Sequence, residues 1–216
     1  MQEYYNKFYS SELEKPDFSL RCPICGASDC ACYHGYYTRA ALSPITGFYA
    51  ADFPVMRFKC KSSVNKTGRN HVTFSLLPVQ LVPYRRLALE FMLLAIWLRL
   101  SNQLSLFGTM DIIERELNNL ADVVGFICVS VLISWENMIK NACSLLISGG
   151  FNIRYITQFK ATVNEDKDVL LQFVEFAIHY HIETDCHNIR GPDALSFEFF
   201  KSANIFLFGT ASQHRK

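Results

Sequence analysis

The chain contains no phosphate-cradling glycine loop, no GxSxG and no HExxH, which removes the commonest signatures of nucleotide, acyl-transfer and zinc-hydrolase chemistry. It has no internal repeat and no low-complexity run. Its opening, MQEYYNKFYSSELEKP, has acids and tyrosines but no apolar leader core, so no secretory signal is expected. Nor is there a run of the roughly 20 apolar residues that a membrane span needs. LALEFMLLAIWLRL (87–100) is broken by Glu90 and Arg99, and VVGFICVSVLISW (123–135) lies between Asp122 and Glu136. Both read as buried core helices, and a cytoplasmic chain with no membrane partner is expected.

Acid is missing from one long stretch. Between Phe53 and Arg86 stand Arg57, Lys59, Lys61, Lys66, Arg69, Arg85 and Arg86, with no Asp or Glu among them. Residues 1–86 carry 11 Lys/Arg and 6 Asp/Glu, a net of +5, and residues 87–216 carry 10 and 14, a net of −4, which together give the chain's +1. A one-signed stretch of this kind attracts polyanions through counterion release, so double-stranded DNA is the expected partner.

What the chain does have is cysteine, eight in all, and in a reduced setting clustered cysteines read as metal ligands before disulfides. Cys22-Pro23-Ile24-Cys25-Gly26 has the form of a zinc knuckle, a turn that aims two thiolates at one centre with backbone N–H groups behind them. Cys60 reads as half of an answering pair, but three residues on stands Ser63. The candidates for a fourth ligand are Cys30 or Cys32, then His71, then His34. HYHIETDCH (179–187) is the other ligand-rich run and reads as a polar helix end.

The texture of the chain divides it into a lead-in (1–20) carrying one weak helix, a small β-rich module (21–83) and an all-helical domain (84–216), an α+β arrangement. HGYYTRAAL, AADFPVMRFKC and HVTFSLLP are strand-like runs separated by Ser-Pro, Thr-Gly and Lys-Thr-Gly-Arg-Asn turns. Such a module is too poor in apolar material to stand without a metal or a docking surface. Helices are expected from YRRLALEFMLLAIWLRL, where Leu87, Phe91, Leu94, Ile96 and Leu98 imply burial on most sides, over 110–124 with Thr109 as N-cap, over 129–147, over 166–181 and over 193–204.

The order CPICG, HGYYTR, RFKC, then HVTFSLLP with VPYRR resembles small cysteine-knuckle proteins of bacterial insertion sequences, a domain-of-unknown-function family similar to the N-terminal DNA-recognition parts of transposases. The likeness covers residues 20–86 well and the helical remainder loosely, and the chain departs from it at Ser63 and in the extra residues up to Asn70. It implies a zinc-ribbon-like module with Cys22, Cys25 and Cys60 as Zn2+ ligands, followed by a helix-turn-helix. It also places His34, Tyr36, Tyr37 and Arg39 on the strand after the first knuckle, where the Tyr and Arg side chains are expected to position phosphates, while Arg57, Lys59, Lys61 and Arg69 of the acid-free stretch are expected to meet DNA by their charge.

Tyr84, Arg85 and Arg86 are expected to open the first long helix and meet a phosphate there. A helix-turn-helix spacing at Ala121 and Gly125 would make the following helix the base reader, with Asn137 and Lys140 facing DNA. No strand framework gathers carboxylates after residue 86, so no enzyme is expected. The functional reading is a non-catalytic DNA-binding protein of a mobile element, acting alone or beside a separately encoded recombinase. Its rivals are a protein-interaction module stapled by cysteines and a decayed transposase fragment.

Overall fold

The structure, a computed structural model, describes residues 1–64, 71–78, 80–82, 85–117, 127–148, 154–164, 166–183, 188–190 and 195. The fold is mixed α+β, and its contacts divide the chain into two compact units: 1–41 with 48–78, and 42–47 with 79–216.

In the first unit, three strands form a sheet in the order β1-β2-β3, where β1 is Ala31–Ser43, β2 is Phe48–Val64 and β3 is His71–Leu76. The Ser-Pro and Thr-Gly signals make the turn between β1 and β2. There the Gly47 N–H donates to the Pro44 carbonyl, and glycine supplies a φ of +66°. β2 and β3 are antiparallel, with Met56 opposite Leu76 and Lys59 opposite Thr73, before the register shifts ahead of Val64 and His71. Along β2, Met56, Phe58 and Cys60 are buried, whereas Arg57 and Lys59 are half-exposed and Lys61 is exposed. This is the period-two alternation of a sheet with one covered face.

Helix α1, Gln2–Tyr9, is the weak helix of the lead-in. It joins the first unit through aromatic contacts: Tyr4 stacks on Phe53 with centroids 5.3 Å apart and Phe8 meets Tyr36 edge-on at 4.9 Å. The Tyr5 and Tyr9 hydroxyls both donate to Asp52.

The second unit is built from α2 (Leu89–Ser101), α3 (Leu106–Leu117), α4 (Val129–Ser148), α5 (Arg154–Thr162) and α6 (Val169–His179). Its core joins Leu89, Met92, Leu93 and Ile96 of α2 to Leu132, Trp135, Ile139 and Leu146 of α4 and to Phe173, Val174 and Ala177 of α6. The buried stripe of α2 follows the i, i+3, i+4, i+7 rule. Phe91, Leu94 and Leu98 stay half-buried, so the helix is less enclosed than its composition implies. Asp168 caps α6 by accepting from the Leu170 and Leu171 N–H groups.

Several expectations are corrected. α2 begins at Leu89, so Arg85 and Arg86 do not open it; the chain before it is held extended by the Leu42 N–H donating to the Arg86 carbonyl and the Ala88 N–H donating to the Leu42 carbonyl. Thr109 is no N-cap, because α3 starts at Leu106 and the fully buried Thr109 hydroxyl donates back to the Ser105 carbonyl. The second unit is not all helical, since β4 (His181–Glu183) and β5 (Asn188–Arg190) pair as a short antiparallel hairpin. The sequence carries no clear signal for α5. The Ala121–Gly125 turn and all but Leu195 of the last expected helix lie outside the described residues. Among the described residues, no helix is long and apolar enough to cross a membrane.

Candidate metal centre

Cys22, Cys25, Cys30 and Cys60 bring their sulfurs together in the first unit, every Sγ within 4.8 Å of the others. Local geometry at the knuckle follows its sequence. The Gly26 N–H donates to the Cys22 carbonyl at 2.8 Å, and Gly26 takes a φ of +77° that an L side chain rarely adopts. The Cys22 N–H donates to the Ala27 carbonyl at 2.8 Å, closing the turn. The chain then turns through Asp29, at φ +51°, and delivers Cys30 at the foot of β1. Cys60 arrives from the neighbouring strand, with the Lys61 N–H donating to the Cys30 carbonyl at 3.1 Å.

The donor set fits a tetrahedral thiophilic ion. Metal–sulfur bonds of ~2.3 Å imply sulfur–sulfur edges of about 3.8 Å. The Cys25–Cys30 and Cys30–Cys60 pairs are each at 3.4 Å and the other pairs lie within 4.8 Å, so modest adjustment of these edges would accommodate an ion. Cys22, Cys30 and Cys60 are buried and Cys25 is exposed.

Hydrogen bonds and burial set the thiols apart. At Cys30 the Ser62 hydroxyl, with the Ser62 N–H behind it, outweighs burial and brings the thiol down to about 6. At Cys60, burial pushes upward, but donation from the Ser63 side chain and backbone leaves the thiol lowered. At Cys25 the Ala27 N–H pulls downward, and the neighbouring thiols, Cys30 first, push it up to about 12. Four thiols in one place cannot all ionise without a cation, which is the ordinary electrostatic reason that such clusters take up metal.

Of the fourth-ligand candidates whose side chains are described, Cys30 is the one whose sulfur joins those of Cys22, Cys25 and Cys60. Cys32 is not part of it: its thiol points to the Lys59 carbonyl at 3.7 Å. His34 is exposed on β1 away from the cluster, and the side chain of His71 lies outside what is described. Ser63, at the position where the resemblance has cysteine, is half-buried near the end of β2 and helps to lower the Cys60 thiol. Of the HYHIETDCH run, residues 184–187 lie outside the described residues.

The expected DNA-binding residues separate by face and by partner. The Arg57 guanidinium lies 5.9 Å from the Tyr37 ring centroid and donates to the Thr73 hydroxyl at 3.0 Å. Tyr33 instead packs on Phe58, on the opposite side of the sheet. Tyr33 and Tyr37 are four residues apart and a regular strand would place both on one side; Gly35, at φ +109° between them, is where the phase of β1 changes. Lys59 is half-exposed on the Arg57 side, Arg39 is half-buried and Lys61 is exposed, while Arg69 lies outside the described residues.

In the second unit, Arg85 donates to the Ser134 hydroxyl and Arg86 is exposed. Lys140 pairs with Glu136 at 2.7 Å, Glu136 also meets Arg99 at 3.2 Å, and Asn137 is exposed. The buried Glu136 therefore serves helix packing. No family model matches the chain, and neither a curated protein nor a solved structure matches it.

Proposed function

We propose that the chain is a non-catalytic DNA-binding protein in which four thiolates hold Zn2+ as a staple for a zinc-ribbon-like module. The observation that carries this reading is the closeness of the Cys22, Cys25, Cys30 and Cys60 sulfurs. Four protein thiolates fill a tetrahedral coordination sphere and leave no open position for water or substrate, which is the arrangement of structural rather than catalytic zinc. Bound there, the ion would supply folding energy to a unit whose sheet has few aliphatic side chains.

The DNA half of the proposal draws on β2. Arg57 and Lys59 project from one side of the sheet with Tyr37 and Thr73, Lys61 follows on the same strand, and the sequence offers no acid from Phe53 to Arg86. Guanidinium, ammonium and hydroxyl groups in a row suit the sequence-independent phosphate binding that positions a protein on a duplex. The likeness to insertion-sequence proteins makes the ends of a mobile element the natural target and a separately encoded recombinase a natural companion.

Duplex binding measured by fluorescence anisotropy over a range of salt tests this. Arg57→Ala with Lys59→Ala should weaken binding and reduce the slope of log affinity against log salt by about 2, at ~0.9 for each phosphate that is no longer neutralised. Salt-independent binding, or none, would overturn the DNA reading and leave the metal reading standing. A protein-interaction module is the second reading, favoured by the engagement of Arg85 with Ser134 and of Lys140 with Glu136. It predicts that the same double variant leaves partner binding intact.

A further inference from the structure

We infer that Ser62 is a positioning residue of the metal centre, supplying to Cys30 the hydrogen bonds that a knuckle turn supplies to its own cysteines. This rests on the reading that the four thiolates hold zinc. Metal-bound thiolates are acceptors only, and outer donors fix their orientation and relieve their charge. In a Cys-x-x-Cys knuckle the backbone N–H groups of the turn point at its own sulfurs, and here that turn is closed by the Gly26 N–H donating to the Cys22 carbonyl. Cys30 stands outside any Cys-x-x-Cys turn, and its sulfur meets the Ser62 hydroxyl at 3.1 Å and the Ser62 N–H at 3.3 Å, from a residue 32 positions away.

The geometry follows from strand periodicity. Cys60 and Ser62 are two residues apart on β2, so they project to the same side, one as ligand and the other as donor to the neighbouring ligand. The Lys61 N–H, between them, donates to the Cys30 carbonyl and locks the two strands in the register that makes this possible. A chain lacking a second Cys-x-x-Cys pair thereby keeps the hydrogen bonding that such a pair provides, with hydroxyl and amide coming from one serine. In the metal-bound state the Cys30 sulfur has no proton to give, so the hydroxyl is the donor.

The test uses the reduced full-length protein, titrated with zinc against a chromophoric chelator and, separately, with Co2+ read by its absorption spectrum. Ser62→Ala should lower zinc affinity by about 10–100-fold, the range found when outer-shell partners are removed. Its cobalt complex should keep four-sulfur d–d bands while the sulfur-to-cobalt charge-transfer bands move to lower energy, because an uncapped thiolate is more easily oxidised. Ser62→Thr, which keeps the hydroxyl, should return both readouts to wild type.

Wild-type affinity and spectrum in Ser62→Ala would overturn the inference, as would a Ser62→Thr protein that is as weak as Ser62→Ala. A wild-type protein that takes up neither ion would overturn the zinc reading itself. That result is distinct from a wild type that binds both ions and is indifferent to Ser62.

Discussion

The sulfurs of Cys30 and Cys60 lie 3.4 Å apart although 30 residues separate them in the chain, Cys30 standing just before β1 and Cys60 within β2. Their closeness therefore depends on the pairing of β1 with β2. Replacing Cys30 with serine should abolish tight zinc uptake and the four-sulfur cobalt spectrum. Replacing Cys32, whose thiol faces the Lys59 carbonyl, should leave both unchanged. Metal stoichiometry of the two purified variants separates these outcomes.

Acid and base should both destabilise the metal-free protein, through different thiols. The Cys30 thiol, lowered to about 6 by Ser62 donation, has an ordinary value of 9.0. Its ionised form is favoured by folding, so its contribution is complete above 9 and is lost as the pH falls through 6. Cys60 is lowered in the same direction. The Cys25 thiol is pushed up to about 12, so its protonated form is favoured by folding and that contribution fades above 9. Urea midpoints in chelator and reductant should rise from pH 6 to 9 and fall beyond it.

Gly35 is open to a second prediction about the basic face. A Cβ there would meet nothing within 4 Å, but φ is +109°, so valine would be strained by the backbone rather than by neighbours. Gly35→Val should cost about 1–3 kcal/mol. A regularised β1 would also turn Tyr37 away from Arg57, so duplex affinity should fall with stability. Chemical denaturation and anisotropy on the same variant read both.

The ion pairs of the second unit should be unequal. Glu136 is largely buried and meets Arg99, which is also mostly covered, so Glu136→Ala should destabilise by roughly 2 kcal/mol, between exposed and buried pairs. Lys140 is about half exposed, and Lys140→Ala should change stability by less than about 0.5 kcal/mol. Thermal and urea unfolding of the two variants compare them.

The strands of the first unit were legible because local signals sufficed: β-branched and aromatic runs ended at Ser-Pro and Thr-Gly, and the turn formed there. The knuckle was legible for the same reason. The choice among Cys30, Cys32, His34 and His71 was not, because it depends on which side of β1 faces Cys60. That is fixed by the turn through Asp29 and the hydrogen bond from Lys61 to Cys30, neither of which leaves a mark in composition.

In the second unit, α4 and α6 were legible from their apolar periodicity and, for α6, an acidic start. α5 was not: RYITQFKAT mixes polar and apolar residues in nine positions, too short a span for periodicity to register. Arg85 looked available for phosphate because Ser134, its partner, is 49 residues away. Ser62 left no signal, since a serine two residues after a cysteine is unremarkable until a second cysteine is seen to need it.

The hairpin turn 42–47 is grouped with residues 79–216 although it is spelled inside the first unit, and Leu42 is buried among residues of the helical core. Cutting the gene after residue 78 would therefore yield a helical fragment lacking one of its own core side chains. Such a fragment is expected to be sticky and poorly folded, and supplying 42–47 through a permuted chain order, not a shorter one, is the route to an independent helical unit.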